Sequence, residues 1–113
     1  LIGGTGDDTI YATLHYPGSS GTEVSHETSL REGRFHDDFH VFGIDWSREE
    51  ISWSVDGIVF CRLDIREKPA FHKKHFLLLN LAIGGDWPGA PDESTVFPQE
   101  YVIDWVRCYR QIG

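Results

Sequence analysis

Residues 51–63 read I-S-W-S-V-D-G-I-V-F-C-R-L and carry the clearest fold signal in the chain. Apolar residues alternate with serines in Ile51–Val55, which is the period-two pattern of a half-buried strand. Asp56-Gly57 follows, and an Asp-Gly pair between two apolar runs is typical of a tight hairpin turn. The stretch therefore predicts two antiparallel strands, Ile51–Val55 and Ile58–Leu63.

Strand patterns continue on both sides of this hairpin. Thr9–His15 alternates, so its apolar residues at positions 10, 12 and 14 share one face. No run of ten or more residues has a 3.6-residue period, and Ser47–Glu50 is a short turn at most. We expect an all-β fold of antiparallel strands in a β-sandwich. The other predicted strands are Phe39–Trp46, Phe76–Ile83 and Tyr101–Arg110, and the Gly- and Pro-rich surface loops are Pro17–Gly21 and Gly84–Pro91.

Composition limits the function classes. The chain has 113 residues and 40% hydrophobic content, which suffices for one small folded domain. Its net charge of -8 argues against nucleic acid and gives no reason to expect an anionic membrane surface as partner. No apolar run is long enough to span a bilayer. The N-terminus has neither a signal-peptide pattern nor a Met, so we expect a fragment or a processed chain.

The two cysteines, Cys61 and Cys108, each lie within a predicted strand. Two buried free thiols are the favoured interpretation, and a single disulfide is the alternative if the two strands are neighbours. No Cys-x-x-Cys or Cys/His cluster is present, so a structural zinc site is not expected.

Asn80–Gly89, N-L-A-I-G-G-D-W-P-G, predicts a binding loop. Trp87 lies among three glycines and a proline directly after an apolar run, which is a poor place for a core residue. A flat indole there suits the C–H face of a sugar ring. Asn80 interrupts the apolar run and is either a hydrogen-bonded core amide or an amide that binds sugar hydroxyls. The remaining tryptophans are expected in the core: Trp46, Trp53 and Trp105.

Acidic and histidine residues give weaker signals. Adjacent acidic pairs point to opposite sides of a strand and are expected in solvated turns. Glu23 and Glu27 would share a face if extended, so an acid/base pair is a minor alternative there. His15 ends a strand and either lines a groove or is simply exposed. The acidic pairs are Asp7-Asp8, Asp37-Asp38, Glu49-Glu50 and Asp92-Glu93.

These motifs together resemble glycoside hydrolase family 16, and most closely its laminarinase-like β-1,3-glucanase branch. The family resemblance implies a β-jelly roll of two curved antiparallel sheets with a substrate cleft on the concave side. It also implies retaining hydrolysis of β-1,3- or mixed-linkage glucans by two carboxylates. The matching segments are Thr9–Gly18, Asp38–Trp46, Ile51–Gly57, Phe76–Gly89, Phe97–Gln99 and Val102–Tyr109.

The family's catalytic motif, Glu-x-Asp-x-x-Glu, does not occur in this sequence. The resemblance implies that Leu1 lies just after the catalytic strand and that residues 1–113 are the C-terminal part of one jelly-roll domain. The chain alone is then not expected to hydrolyse glucan, and the N-terminal half of the domain is an expected partner. The complete protein is expected to be secreted or periplasmic. The alternatives are a non-catalytic β-glucan-binding module and a fragment without a function of its own.

The resemblance also assigns roles to individual residues. Tyr11, Thr13 and His15 match the cleft-facing side of the strand that follows the catalytic strand. Asn80 matches a cleft residue of a neighbouring strand, and Trp87 matches the tryptophan of a sugar subsite. Asp104 matches an aspartate that helps to bind a structural calcium in many members. Because calcium takes six to eight oxygen ligands, the site within this chain is expected to be incomplete.

Overall fold

The computed structural model describes residues 7–17 and 23–112, with side chains in the second range described from residue 26 onward. Within these residues the regular structure consists of five strands and two short 3-10 helices, and the predicted all-β class is confirmed. The strands are β1 (Thr9–His15), β2 (Glu23–Ser29), β3 (Phe42–Trp46), β4 (Glu50–Val55) and β5 (Ile58–Asp64). The 3-10 helices are Phe35–Asp37 and Pro69–His72.

All strand pairs are antiparallel and form two sheets. The first sheet pairs β1 with β2, and the second has the order β3-β4-β5. The predicted hairpin is the β4–β5 pair, in which Trp53 lies opposite Cys61 and a bulge follows at Ser54. β1 has the predicted bounds, whereas most of the loop predicted at Pro17–Gly21 lies outside the described residues.

Ser47–Glu50 forms the turn between β3 and β4. The Ser47 hydroxyl accepts the amide hydrogens of Glu49 and Glu50 at 3.1 and 3.0 Å. The Ser47 amide in turn donates to the Glu50 carbonyl at 3.0 Å. The segment is therefore a serine-stabilised turn that reverses the chain into the next strand.

The chain divides into two compact units, Leu1–Phe76 and Leu77–Gly113. All five strands lie in the first unit. The assignment of residues 1–113 to a single domain stays a prediction.

The core of the first unit joins the two sheets. Leu14 of β1, Ile51 of β4 and Ile65 after β5 form a buried cluster, and Ile65 is fully buried. Half-buried Tyr16, Trp53, Leu63 and Phe71 pack around this cluster. Ala12 is also fully buried, so the alternation predicted for β1 places its apolar positions 12 and 14 inward.

β3 starts at Phe42 rather than at the predicted Phe39, because residues 40 and 41 bind the β4–β5 turn. His40 Nδ1 lies 2.8 Å from Asp56 Oδ2, and the Val41 amide donates to Asp56 Oδ1 at 2.9 Å. The Asp56 amide donates to the Val41 carbonyl at 2.8 Å. The hydrogen bond from His40, together with that from Val41, lowers the pKa of Asp56.

The strands predicted at Phe76–Ile83 and Tyr101–Arg110 are wrong for this structure. Residues 77–112 are all described, and no helix or strand forms among them. A strand needs a neighbour for its amide and carbonyl groups, and no such ladder forms here. The apolar side chains are accordingly exposed, with Phe76 at 87% and Leu78 at 74%.

The tryptophans differ from one another in burial, and so do the two cysteines. Trp53 packs against the core as predicted, but the core prediction is wrong for Trp46 and Trp105, which are exposed. Both cysteines are free, so the disulfide alternative is not realised. Cys61 is buried, and its burial raises the pKa of the thiol, whereas Cys108 is exposed.

A matched pair of isoleucine variants tests the core. We expect Ile65→Ala to lower the free energy of unfolding by about 3 kcal/mol, because it leaves a cavity in a fully buried site. Ile58→Ala should change it by less than about 0.5 kcal/mol, because that side chain is 74% exposed. Urea titration followed by tryptophan fluorescence measures both values. Equal losses from the two variants would contradict the assignment of the core.

The Asp56 contacts predict a pH-dependent contribution to stability. The fold lowers the pKa of Asp56 below its ordinary value of 3.8, so the carboxylate stabilises the fold above about pH 4. This contribution is lost as the pH falls through the lowered pKa. We expect Asp56→Asn to cost about 0.5–1 kcal/mol at pH 7, since the pair is partly exposed.

Urea titrations of this variant at several pH values from 7 downward should show the cost shrinking below pH 4. Glu32→Gln, which removes an exposed charge from the turn after β2, is the control. A cost for Asp56→Asn that is the same at every pH would show that the carboxylate charge plays no part.

Candidate functional site

Strand β1 presents the predicted binding residues on one side. Tyr11 and Thr13 are half-buried and His15 is exposed, on the face opposite to buried Ala12 and Leu14. This separation follows from the two-residue period of the strand. Packing of the apolar side into the core therefore turns Tyr11, Thr13 and His15 away from it.

Strand β2 extends this surface, although the residue pattern of Glu23–Ser29 predicts no strand. Its register places Glu27 opposite Tyr11 and Glu23 opposite His15. The Thr9 and Ser29 hydroxyls lie 2.7 Å apart across the pair. We call this surface the outer face of the β1–β2 sheet, and its described side chains are Thr9, Tyr11, Thr13 and His15 of β1 with Glu27 and Ser29 of β2.

The minor alternative of a Glu23/Glu27 acid/base pair gains no support from this register. Four residues along a strand span about 13 Å, whereas the carboxyls of a retaining glycosidase lie about 5 Å apart. Glu27 is exposed and lies beside a phenol and hydroxyl groups. Its chemistry on this face is that of a charged hydrogen-bond acceptor.

The Trp87 loop is a closed turn that needs glycine. Gly84, Gly85 and Gly89 have φ values of 76°, 125° and 83°, which side chains rarely tolerate. The Gly89 amide donates to the Gly85 carbonyl at 3.0 Å and closes the turn around the tryptophan. Trp87 is 65% exposed, as expected for a loop residue outside the core, and its role in binding stays a prediction.

Asn80 and Asp104 lie in the second unit with Trp87, and both are exposed. The core-amide interpretation of Asn80 is therefore wrong. Its side chain offers one acceptor and two donor hydrogens, a combination that suits sugar hydroxyls.

Asp104 alone does not fit a calcium site. Among the described residues, no three His, Cys, Asp or Glu side chains are grouped closely enough to hold a metal ion. Calcium takes six to eight oxygens, and one carboxylate supplies two at most. The calcium assignment of Asp104 remains a prediction.

Lowered carboxylate pKa values in the described part of the chain have local causes. The Arg66 guanidinium forms an ion pair with Asp64 and lowers the pKa of Asp64 to about 2. Hydrogen bonds from the Ser94 hydroxyl and amide lower the pKa of Asp92. Both groups stabilise turns as carboxylates and lie outside the outer face, so neither indicates an acid/base site.

The described residues also contain no helix that is long and apolar enough to cross a bilayer.

Comparisons with known proteins give the family. The model of the family described as Glycosyl hydrolases family 16 matches residues 1–107. A beta-glucanase of Rhodothermus marinus is 33% identical over 96% of this chain and 42% of its own length. A beta-1,3-glucan-binding protein of Penaeus monodon is 26% identical over 77% of this chain and 30% of its own length.

Solved structures agree with the sequence matches. The catalytic domain of an endo-1,3-beta-glucanase (laminarinase) from Thermotoga petrophila RKU-1 has a TM-score of 0.72 and 39% identity. The match covers 86% of this chain and 42% of that domain, so the chain spans less than half the length of these relatives. The similarity to a laminarinase structure confirms the predicted family resemblance. The chain belongs to glycosyl hydrolases family 16.

Proposed function

We propose that this chain is part of a retaining endo-β-1,3-glucanase and supplies cleft-wall and substrate-binding residues. The observation that carries the proposal is the family match over residues 1–107, together with 39% identity to a laminarinase structure. β-1,3-Glucans or mixed-linkage β-glucans are the proposed substrates.

Each proposed binding residue has a physical role. The exposed Trp87 indole stacks on the apolar face of a glucosyl ring and is fixed there by its glycine turn. Tyr11, Thr13 and His15 offer hydroxyl and imidazole groups to sugar hydroxyls, as does the Asn80 amide. These groups bind and orient sugar rings and leave the bond-breaking step to other residues.

The chemical step requires two carboxylates. In the family they belong to the Glu-x-Asp-x-x-Glu motif, which does not occur in this sequence. In retaining hydrolysis one carboxylate attacks the anomeric carbon, and the other protonates the leaving oxygen and then activates water. We propose that the N-terminal half of the domain supplies both groups and is the partner of this chain. Export of the complete protein and a calcium ion at Asp104, with its other ligands from that half, belong to the same proposal.

A non-catalytic β-glucan-binding module is the alternative. The similarity to a protein named as a beta-1,3-glucan-binding protein favours it. Both functions require glucan binding, so hydrolysis by the complete protein distinguishes them.

Tryptophan variants test the binding loop. We expect Trp87→Ala to weaken laminarin binding by about 1–2 kcal/mol, or roughly five- to thirtyfold, because it removes the stacking surface. Trp105→Ala is the control, since it deletes another exposed indole. The Arg107 guanidinium carbon lies 4.6 Å from the centroid of that ring. Titration calorimetry measures both. Equal weakening by the two variants would show that the position of Trp87 in the glycine turn gives it no special role in binding laminarin.

The coding sequence tests the catalytic part of the proposal. We expect the codons upstream of Leu1 to encode a strand with the Glu-x-Asp-x-x-Glu pattern. A reducing-sugar assay on laminarin should then show activity for the extended protein and none for residues 1–113. Upstream codons without such a strand would overturn the glucanase proposal in favour of the binding module, and hydrolysis by residues 1–113 alone would contradict the assigned division of roles.

A further inference from the structure

The outer face of the β1–β2 sheet has an unbalanced charge. Strands Thr9–His15 and Glu23–Ser29 contain two glutamates and neither Lys nor Arg. Glu27 lies opposite Tyr11, with the Thr9–Ser29 hydroxyl pair at the next position on the same face. One carboxylate thus lies among neutral hydrogen-bonding groups, without a cation from either strand.

We infer that Glu27 selects the class of glucan that this face accepts: neutral β-glucans bind, and glucans bearing sulfate or carboxylate groups are rejected. The inference rests on the proposed function, because it assumes that the outer face contacts the polysaccharide. The motif comparison assigns no role to Glu27 and no preference between neutral and anionic glucans.

The acceptor chemistry of a carboxylate explains the preference for neutral sugar. Each glucosyl ring carries hydroxyl hydrogens, and an ionised carboxylate accepts them in charge-assisted hydrogen bonds. A sulfate or carboxylate substituent replaces a donor by a negative acceptor. Beside Glu27 that substituent gains no hydrogen bond.

Charge repulsion adds to this loss. Two negative charges 4 Å apart in water weaken binding by about fivefold, and by more where water is excluded. The whole chain, with its net charge of -8, repels anionic polymers in the same direction. Rejection of a wrong ligand by a like charge is a common source of specificity.

Salt screens the repulsion between exposed charges, so the test is run at low ionic strength, which keeps the repulsion measurable.

The experiment compares Glu27→Gln with the unsubstituted chain, using laminarin and chemically sulfated laminarin in titration calorimetry. Glutamine keeps the side-chain shape and removes the charge. We expect the variant to bind laminarin several-fold more weakly and sulfated laminarin about fivefold more tightly. Glu67→Gln, on the exposed turn after β5, removes the same charge elsewhere and should leave the preference unchanged.

The outcomes separate the two proposals. If the unsubstituted chain binds laminarin and Glu27→Gln leaves the ratio of the two affinities unchanged, the selection rule is wrong while the proposed function stands. Equal shifts from Glu27→Gln and Glu67→Gln would assign the effect to net charge and also overturn the rule. If no form of the chain binds either polymer, glucan binding by this chain and the selection rule both fail.

Discussion

The packing of Leu14 against Ile51 and Ile65 is the contact on which the arrangement of the outer face depends. It fixes β1 against the second sheet with Ala12 and Leu14 inward. A one-residue slip would exchange the two faces, so burial of Leu14 also sets the direction of Tyr11, Thr13 and His15. The alternation of apolar and polar residues along β1 therefore produces both its buried side and its polar outer face.

Apolar residues at the start of the second unit remain exposed, because no partner strand pairs with them in the described part of the chain. Phe76–Ile83 has the composition of a buried strand, but its side chains are exposed and no ladder forms in the described chain. The chain also spans only 42% of a similar laminarinase domain. Both observations fit the proposal that further strands of the same domain complete the fold, because buried area grows with domain size.

The sequence predicted local structure well where neighbouring residues determine it. The Asp-Gly hairpin and the alternation in β1 gave the correct strands and placed Ala12 and Leu14 inward. β2 escaped prediction because Glu23–Ser29 contains one apolar residue, so its strand form comes from pairing with β1. Phe76–Ile83 was overpredicted for the opposite reason, since composition cannot show whether a neighbouring strand exists.

The residues of the candidate site also differ in whether neighbouring residues or strand pairing determine their positions. The exposure of Trp87 could be predicted because its glycine turn is encoded within a few residues. The position of Glu27 opposite Tyr11 depends on the register of two strands, which no local pattern gives. The predicted burial of Trp46 failed because β3 is an edge strand and its apolar side chain remains exposed.

We propose that the outer face of β1–β2 and the Trp87 loop each bind β-glucan. Titration of the isotope-labelled chain with a laminari-oligosaccharide, followed by two-dimensional NMR, tests it most directly. The account predicts that the saturating shifts are largest at the amides of Tyr11, Thr13 and His15 and at the Trp87 indole. Shifts confined to other regions, such as the exposed Trp46 and its neighbours, or no shifts at millimolar ligand, would contradict it.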